Sequence, residues 1–310
     1  MTTSTVRVIV NPRAGRGLGD DDLQALRQRF VNQGLHAEFM ITAAPGHAAE
    51  LARIARDVGA EVIAVVGGDG TMNEVVQAFI DADGKPIPGP ALAVLPAGTG
   101  GDFRRTLGLS KNLDEAVGRI RYGSDHPTDL GLLRYTKDDG APGARAFLNI
   151  ASCGLGGLVD RIVNASGKRF GGTISFFLGT AEGLAKYRNQ PIRIRVDGEL
   201  FHEGRMVNAA VANGRYFGGG MCIAPMADPT DGRFEVVVMG NFSVPEVLAF
   251  TGQIYQGAHL GNDRVHVTHG KVVEIEPLGA DPVLIDCDGE APGRLPARFE
   301  VLHHAVRLRH

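Results

Sequence analysis

The stretch VVGGDGTMNEVV, Val65 to Val76, places Asp69 among the glycines Gly67, Gly68 and Gly70. Glycines let backbone N–H groups approach an anion closely, and a helix start just beyond adds unsatisfied donors and a favourable dipole. A carboxylate in such a loop repels phosphate unless a cation shares the charge. Asp69 is therefore read as holding Mg²⁺, directly or through water, or as meeting an acceptor hydroxyl. Two further loops have a similar make-up, NPRAGRG from Asn11 to Gly17 and PAGTGGD from Pro96 to Asp102. Thr71 and Thr99 add hydroxyl donors, although Thr71 also suits a helix N-cap. Phosphoryl transfer to an alcohol needs charge neutralisation, in-line positioning and a carboxylate near the attacking oxygen. Two Asp-Gly-Glu triplets carry carboxylates, Asp197-Gly198-Glu199 and Asp288-Gly289-Glu290. Asp-Gly is also a common hairpin turn. The first triplet, between IRIRV and LFHEG, reads as that turn.

These loops need a frame. Residues 5–11, 36–42, 61–67 and 91–98 are β-branched or apolar runs, hence strands; 21–33, 48–58, 72–80, 101–107 and 112–121 have helical spacing. The alternation with short connections predicts a parallel sheet covered on both faces. In such sheets ligands bind beyond the carboxyl ends of the strands, where all three loops fall. That edge suits a polyphosphate. After Tyr122 the rhythm changes to short strand candidates, among them DLGLLRY, ARAFLNIAS, QPIRIRVDG, GRMVNAAVANG, RFEVVVMG and DPVLIDCDG, with helices at 173–187 and 244–256. Their spacing predicts a mostly antiparallel sandwich. The expected domains are 1–127, rejoined by 303–310, and 128–302.

The 310 residues carry a net charge of −3, which gives no sign of a nucleic-acid partner. Three scattered cysteines suggest neither a disulfide framework nor a C-x-x-C metal site. No run approaches the about 18 apolar residues of a spanning helix. A cytoplasmic protein, peripheral at most on a membrane, is the expectation, and a homo-oligomer stays open.

No complete Walker-A or G-x-G-x-x-G motif occurs. GGDGT resembles the nucleotide loop of diacylglycerol, sphingosine and NAD kinases and phosphofructokinases. Together with NPRAG, LPAGTGGDFRRTLGL, NIASCGLGG, VANGRYFGGGMCIAPMADPTDGRFEVVVM and the terminal DGE-to-VLHHAVRL stretch, it resembles the bacterial soluble members of the diacylglycerol kinase and sphingosine kinase family. The resemblance implies an α/β nucleotide domain, a β-sandwich domain and an active site in the cleft between them. ATP would contact Asn11, Gly15, Thr42, Gly67, Gly68, Asp69, Gly70, Thr71 and Thr99, with Asn73 and Glu74 on the same motif. Glu290 would be the general base and Asp288 a metal-linked or orienting carboxylate, with Asp69 a rival base. A second Mg²⁺ would take Asp231 by its side chain and Asp228 and Arg233 by their carbonyls, though ADPTDGRF equally suits an Asp-Gly turn. One departure stands out: the family shows G-T-x-N-D-F where this chain has Gly101 in place of the asparagine.

The acceptor is expected to be a lipid presented at a membrane surface. Ile174, Phe177, Leu178, Ala181, Leu184 and Ala185 form a helical stripe that core packing explains. Phe176 lies outside it, and Lys168 and Arg169 upstream could attract anionic head groups. An NAD kinase and a non-catalytic nucleotide- or lipid-binding regulator are the alternatives.

Overall fold

The structure is a computed structural model and describes residues 6–97, 101–158, 161 and 187–310. The chain divides into two compact units, Met1–Asp129 with His304–His310, and Leu130–His303.

In the first unit, strands β1 (Val6–Val10), β2 (Ala37–Ile41), β3 (Val62–Gly67) and β4 (Ala91–Pro96) alternate with helices α1 (Asp20–Asn32), α2 (His47–Asp57) and α3 (Asp69–Val76). Helices α4 (Asp102–Thr106) and α5 (Leu113–Tyr122) follow β4. The strands pair in parallel in the order β2-β1-β3-β4. Every residue of β3 is buried, as a strand covered on both faces requires. Asn112 caps α5, its Oδ1 accepting from the N–H of Asp114 at 2.8 Å. Leu26 and Phe30 of α1 join Val117 and Ile120 of α5 in the core against Val8 and Ala64. The register matters most for function. Val10 lies opposite Ile41 and Val66, and Gly67 lies opposite Pro96. Asn11, Thr42, Gly67 and Pro96 therefore leave the sheet in one row at its carboxyl edge.

The second unit is mostly antiparallel. It holds β6 (Pro142–Phe147), β7 (Ile150–Gly154), β8 (Gln190–Val196), β9 (Glu199–Met206), β10 (Asn208–Ala212), β11 (Phe234–Met239), β12 (Val265–Gly270), β13 (Val272–Pro277) and β14 (Leu284–Cys287). Helix α6 (Val244–Tyr255) is its longest fully described helix. Strands run in the order β12-β11-β10-β7-β14, while β13 pairs with β8 and β8 with β9. Alternate residues on β10 and β11 face two cores. Ala209, Val211, Val236 and Val238 meet Ile192, Ile194, Val273 and Ile275, around the stacked rings of Phe147 and Phe234 at 5.5 Å. Ala210, Ala212, Val237 and Met239 meet Val247, Phe250 and Ile254 of α6. Sandwich layer and helix layer thus follow from the period-2 alternation of two strands.

Two strands run through the division of the chain, β5 (Asp125–Thr136) and β15 (Glu290–Arg309). The end of β15 pairs in parallel with β4, Leu308 opposite Leu92, and Arg309 Nε meets Asp125 at 2.6 Å. That hydrogen bond, outweighing partial burial, holds the Asp125 carboxyl below its ordinary value.

Three expectations need correction. ARAFLNIAS is two strands, because Leu148 and Asn149 leave the ladder to bind a carboxylate described below. GRMVNAAVANG likewise divides between β9 and β10 at Val207. The 20-residue β15 was missed because Pro292, Gly293 and Pro296 interrupt its alternation.

Candidate active site

The first and third loops of the α/β unit are tied together. Asn11 Nδ2 donates to Thr71 Oγ1 at 3.0 Å, and Asn11 Oδ1 accepts from the N–H of Arg13 at 3.0 Å. The Thr71 hydroxyl is buried in that link, so it braces the loop rather than facing outward. A Cβ on Gly67 would come within 2.5 Å of Thr71 Oγ1, so only glycine permits this approach. Thr42, after β2, is half-buried, and its N–H donates to the Val10 carbonyl at 2.9 Å. Gly15 is exposed with φ 63°.

Asp69 has a more defined position than the sequence suggests. Its Oδ2 accepts from the N–H groups of Gly101 at 3.0 Å and Asp102 at 2.9 Å, and its Oδ1 from Phe103 at 3.3 Å. The acid among the glycines is compensated by the N-terminus of α4, with no cation needed to keep it there. It latches the fourth loop to the third. By contrast, the N–H groups of Gly68, Asp69 and Gly70 find no acceptor among the described residues. They are the orphan donors of the α3 start, beside the row of strand ends. A pocket bounded by Gly67, Gly68, Asp69, Pro96, Gly101 and Phe103 has a volume of about 10 Å³, room for about one water.

Asn73 and Glu74 have other work. Asn73 is fully buried, and Glu74 Oε2 accepts from the N–H of Ala48 at 3.1 Å, in the first turn of α2. Glu74 thereby ties α3 to α2 instead of facing the loop. Thr99 lies outside the described residues, as do 173–186, with the proposed stripe and Phe176, and Lys168 and Arg169.

Gly101 explains its own departure from the family pattern. It has φ 97°, a region where asparagine is the best tolerated alternative to glycine. A Cβ there would meet only the flexible Arg104 side chain, its Nε at 3.2 Å. We expect Gly101→Asn to unfold within a degree or two of the wild type. Gly101→Val should cost about 1–2 kcal/mol, and thermal unfolding of both variants checks the order.

In the second unit the two Asp-Gly-Glu triplets adopt one geometry. Asp197 and Asp288 have φ of 50° and 51°, and Gly198 and Gly289 have φ of 88° and 85°, the shape of a type I′ hairpin turn. Each aspartate also reaches across to a neighbouring segment. Asp197 accepts from the N–H of Lys271 and Val272, at 3.0 and 2.9 Å. Asp288 accepts from those of Leu148, Asn149 and Ile150, at 2.8, 3.1 and 2.9 Å. The oxygens of Asp288 thus accept backbone donors of a distant segment. Glu290 is exposed, one residue beyond the turn.

The residue missed in the sequence is Asp286. It is buried; its Oδ1 accepts from the Gly289 N–H at 2.8 Å and its Oδ2 from the Ser152 hydroxyl at 3.3 Å. A second, buried strap thus holds the turn that carries Glu290; at the Asp197 turn the matching residue, Arg195, reaches the Gly198 carbonyl at 3.4 Å from the exposed side. Three acids at alternate positions, 286, 288 and 290, were the available signal.

In the ADPTDGRF loop both aspartate side chains have partners within the loop itself. Asp231 Oδ1 accepts from the Arg233 N–H and Oδ2 from its guanidinium, both at 3.1 Å, so an arginine already supplies the positive charge. Asp228 Oδ1 accepts from the N–H and hydroxyl of Thr230, at 3.0 and 2.7 Å, and its carbonyl from the Asp231 N–H at 3.4 Å. The segment is a closed turn.

Glu235, at the start of β11, holds this loop from behind. Its Oε2 accepts from the Met226 N–H at 2.8 Å, while the buried Oε1 has no partner. Burial is the main cause that pushes its carboxyl up to about 7. A raised carboxyl pKa means that the folded state keeps its proton longer than the unfolded chain. This contribution to stability is full at low pH and is lost as pH rises through about 7. We expect Glu235→Gln to remove roughly 1–3 kcal/mol of the stability difference between pH 5 and pH 8, measured by denaturant unfolding at both.

Residues 5–133 match the diacylglycerol kinase catalytic domain, and residues 149–310 match the YegS C-terminal NAD kinase beta sandwich-like domain. The chain is 27% identical to a diacylglycerol kinase of Bacillus subtilis, over 97% of this chain and 95% of that protein. It is 30% identical to a "Probable lipid kinase YegS-like" of Stenotrophomonas maltophilia, over 99% and 96%. A crystal structure of a diacylglycerol kinase from Bacillus anthracis has the same fold, with a TM-score of 0.72 at 24% identity, covering 100% of this chain and 98% of that one.

Proposed function

From the premise that this chain is a lipid kinase of the diacylglycerol kinase and YegS-like family, we propose that it transfers the γ-phosphate of ATP to a hydroxyl of a lipid such as diacylglycerol or a sphingoid base. The observation that carries the nucleotide half is the trio of free N–H groups at Gly68, Asp69 and Gly70, set beside strand ends that leave the sheet in one row. Such donors at a helix start bind phosphate oxygens without any charged side chain.

Each residue then has a chemical task. Gly67 to Thr71 hold the phosphates, and the Asn11–Thr71 link keeps that loop against the first. Asp69 keeps the fourth loop in position. Mg²⁺, entering with ATP, supplies charge neutralisation on the transferring phosphoryl group; both Asp69 oxygens already accept N–H donors, so Asp69 would meet the metal through water. Glu290 accepts the proton of the lipid hydroxyl as its oxygen bonds to the γ-phosphorus and the bond to ADP breaks. Its exposure and freedom from backbone donors favour it over Asp69 as base. Asp288 and Asp286 position it.

The test is ADP release from Mg-ATP with a panel of micelle-solubilised lipid alcohols, with NAD as control acceptor. Release stimulated by a lipid and not by NAD is expected. Stimulation by NAD alone, or ATP binding with no acceptor-dependent release, would overturn the proposal.

A further inference from the structure

Two histidines meet where edge strands of the second unit come together. Among the described residues β9 pairs with β8 alone and β12 with β11 alone, so both are edge strands. His202 of β9 lies opposite Ile194 of β8, and His266 of β12 opposite Val238 of β11. Residues directly opposite on paired strands share a face. Ile194 and Val238 belong to one core, so the two imidazoles stand on the core side of their strands, at its rim. Their ring centres are 5.4 Å apart. His202 is half-buried and His266 exposed, which leaves one side of the pair open to water.

Packing alone does not account for the pair. A core rim filled for its own sake takes apolar side chains, yet Nε2 of His202 is buried with no hydrogen-bond partner among the described residues. Such an atom is rare in native proteins and calls for a water or an ion. Burial first, and the neighbouring His266 second, lower the His202 pKa, which favours the neutral ring, the form that ligates a metal. Gly204 is a third sign. Its φ is not positive, so its backbone does not require glycine, but a Cβ there would stand 3.6 Å from the same Nε2. Glycine inside a strand often marks the close approach of a ligand. The spacing fits as well. Two imidazoles bound to one tetrahedral ion through nitrogens at about 2.0–2.1 Å have ring centres about 5 Å apart.

We propose that His202 and His266 bind one divalent transition-metal ion, zinc(II) or a chemically similar ion, between β9 and β12. Water from the open side completes its coordination. Paired imidazoles favour such ions over Mg²⁺, which prefers oxygen ligands, so the site is distinct from any Mg²⁺ that enters with ATP. The β8–β9 hairpin is already fastened at its turn, where Asp197 accepts from the N–H groups of Lys271 and Val272. The ion fastens it a second time, farther along β9, and closes the edge of the sandwich.

The experiment titrates the full chain with zinc chloride in a non-chelating buffer by calorimetry and follows thermal unfolding with and without the metal. Wild type should bind one zinc ion at a site stronger than the background of its other histidines, and unfold about 3 °C or more higher when that site is filled. His266→Gln should weaken the site about 10–100-fold and remove the shift. His202→Gln should do the same; its ring is half-buried, so its metal-free unfolding is measured first, and the exposed His266 carries the test if His202→Gln does not fold. His269 is the control. It is exposed on the same strand but opposite Glu235, and so on the other face of the sheet. His269→Gln should bind zinc as the wild type does. Absence of a zinc-dependent shift in the wild type would overturn the proposal. So would unchanged zinc binding by folded His266→Gln, or an equal loss in His269→Gln, because the metal would then sit elsewhere.

Discussion

Asp69→Ala should abolish phosphoryl transfer, lowering turnover by at least about a thousandfold. The substitution removes the acceptor of three N–H groups at the start of α4 and leaves those donors with nothing in their place. The fourth loop is then free of the third, and the frame around the orphan donors of Gly68 to Gly70 is lost. Stability should fall by about 1–3 kcal/mol, because hydrogen bonds to a charged acceptor are stronger than neutral ones. Asp69→Asn separates two ways in which the residue could act. Its carbonyl keeps one acceptor for Gly101 and Asp102, so a role confined to the latch predicts partial activity, within about tenfold of wild type. A need for the negative charge itself, through a metal-bound water, predicts that the asparagine variant is as inactive as the alanine one. Turnover and ATP affinity measured on both folded variants decide between these. Near-normal turnover of Asp69→Ala would remove the residue from the mechanism altogether.

The latch shows where sequence reading stops. The parallel sheet was legible because β1, β3 and β4 are apolar runs separated by helical periods, and the change to short strands announced an antiparallel second part. The row of loops at one sheet edge was legible because three glycine-rich stretches follow three strands of one sheet. What a one-dimensional pattern does not carry is which backbone groups a carboxylate will meet. Asp69 and Gly101 are 32 positions apart, and Asp288 and Leu148 are 140 apart. In both places an acid that looked available for a metal serves backbone donors of a distant segment. Glu74 illustrates the same limit: the motif groups it with the nucleotide loop, while the fold turns its carboxylate to the start of α2. Asp286 was overlooked because it sits inside an apolar strand, where its bond to Ser152 depends on β7 running alongside. The long β15 was hidden by its prolines.

Glu290→Gln should lower turnover by about 10²–10⁴-fold, the range expected when a general base is neutralised, while Glu199→Gln should stay within about twofold of wild type. The comparison is demanding because the two glutamates follow turns of the same shape, each anchored by an aspartate to a neighbouring segment. Turn geometry therefore gives no reason for one to matter more. The difference lies beneath the turn, where Asp286 binds both Gly289 N–H and Ser152 and limits the movement of the residue that follows. A base must stay within hydrogen-bond reach of the hydroxyl it deprotonates, and misplacement of about 1 Å can cost 10²-fold. Asp286→Ala should accordingly lower kcat while leaving the KM for ATP in place, and by less than Glu290→Gln. Asp286→Asn, which keeps an acceptor for Gly289, should recover part of that loss. Steady-state turnover with a micellar lipid acceptor reads all four variants in one assay. Equal and small effects of Glu290→Gln and Glu199→Gln would reduce the second triplet to the hairpin turn that its backbone already describes, and the base would have to be sought elsewhere.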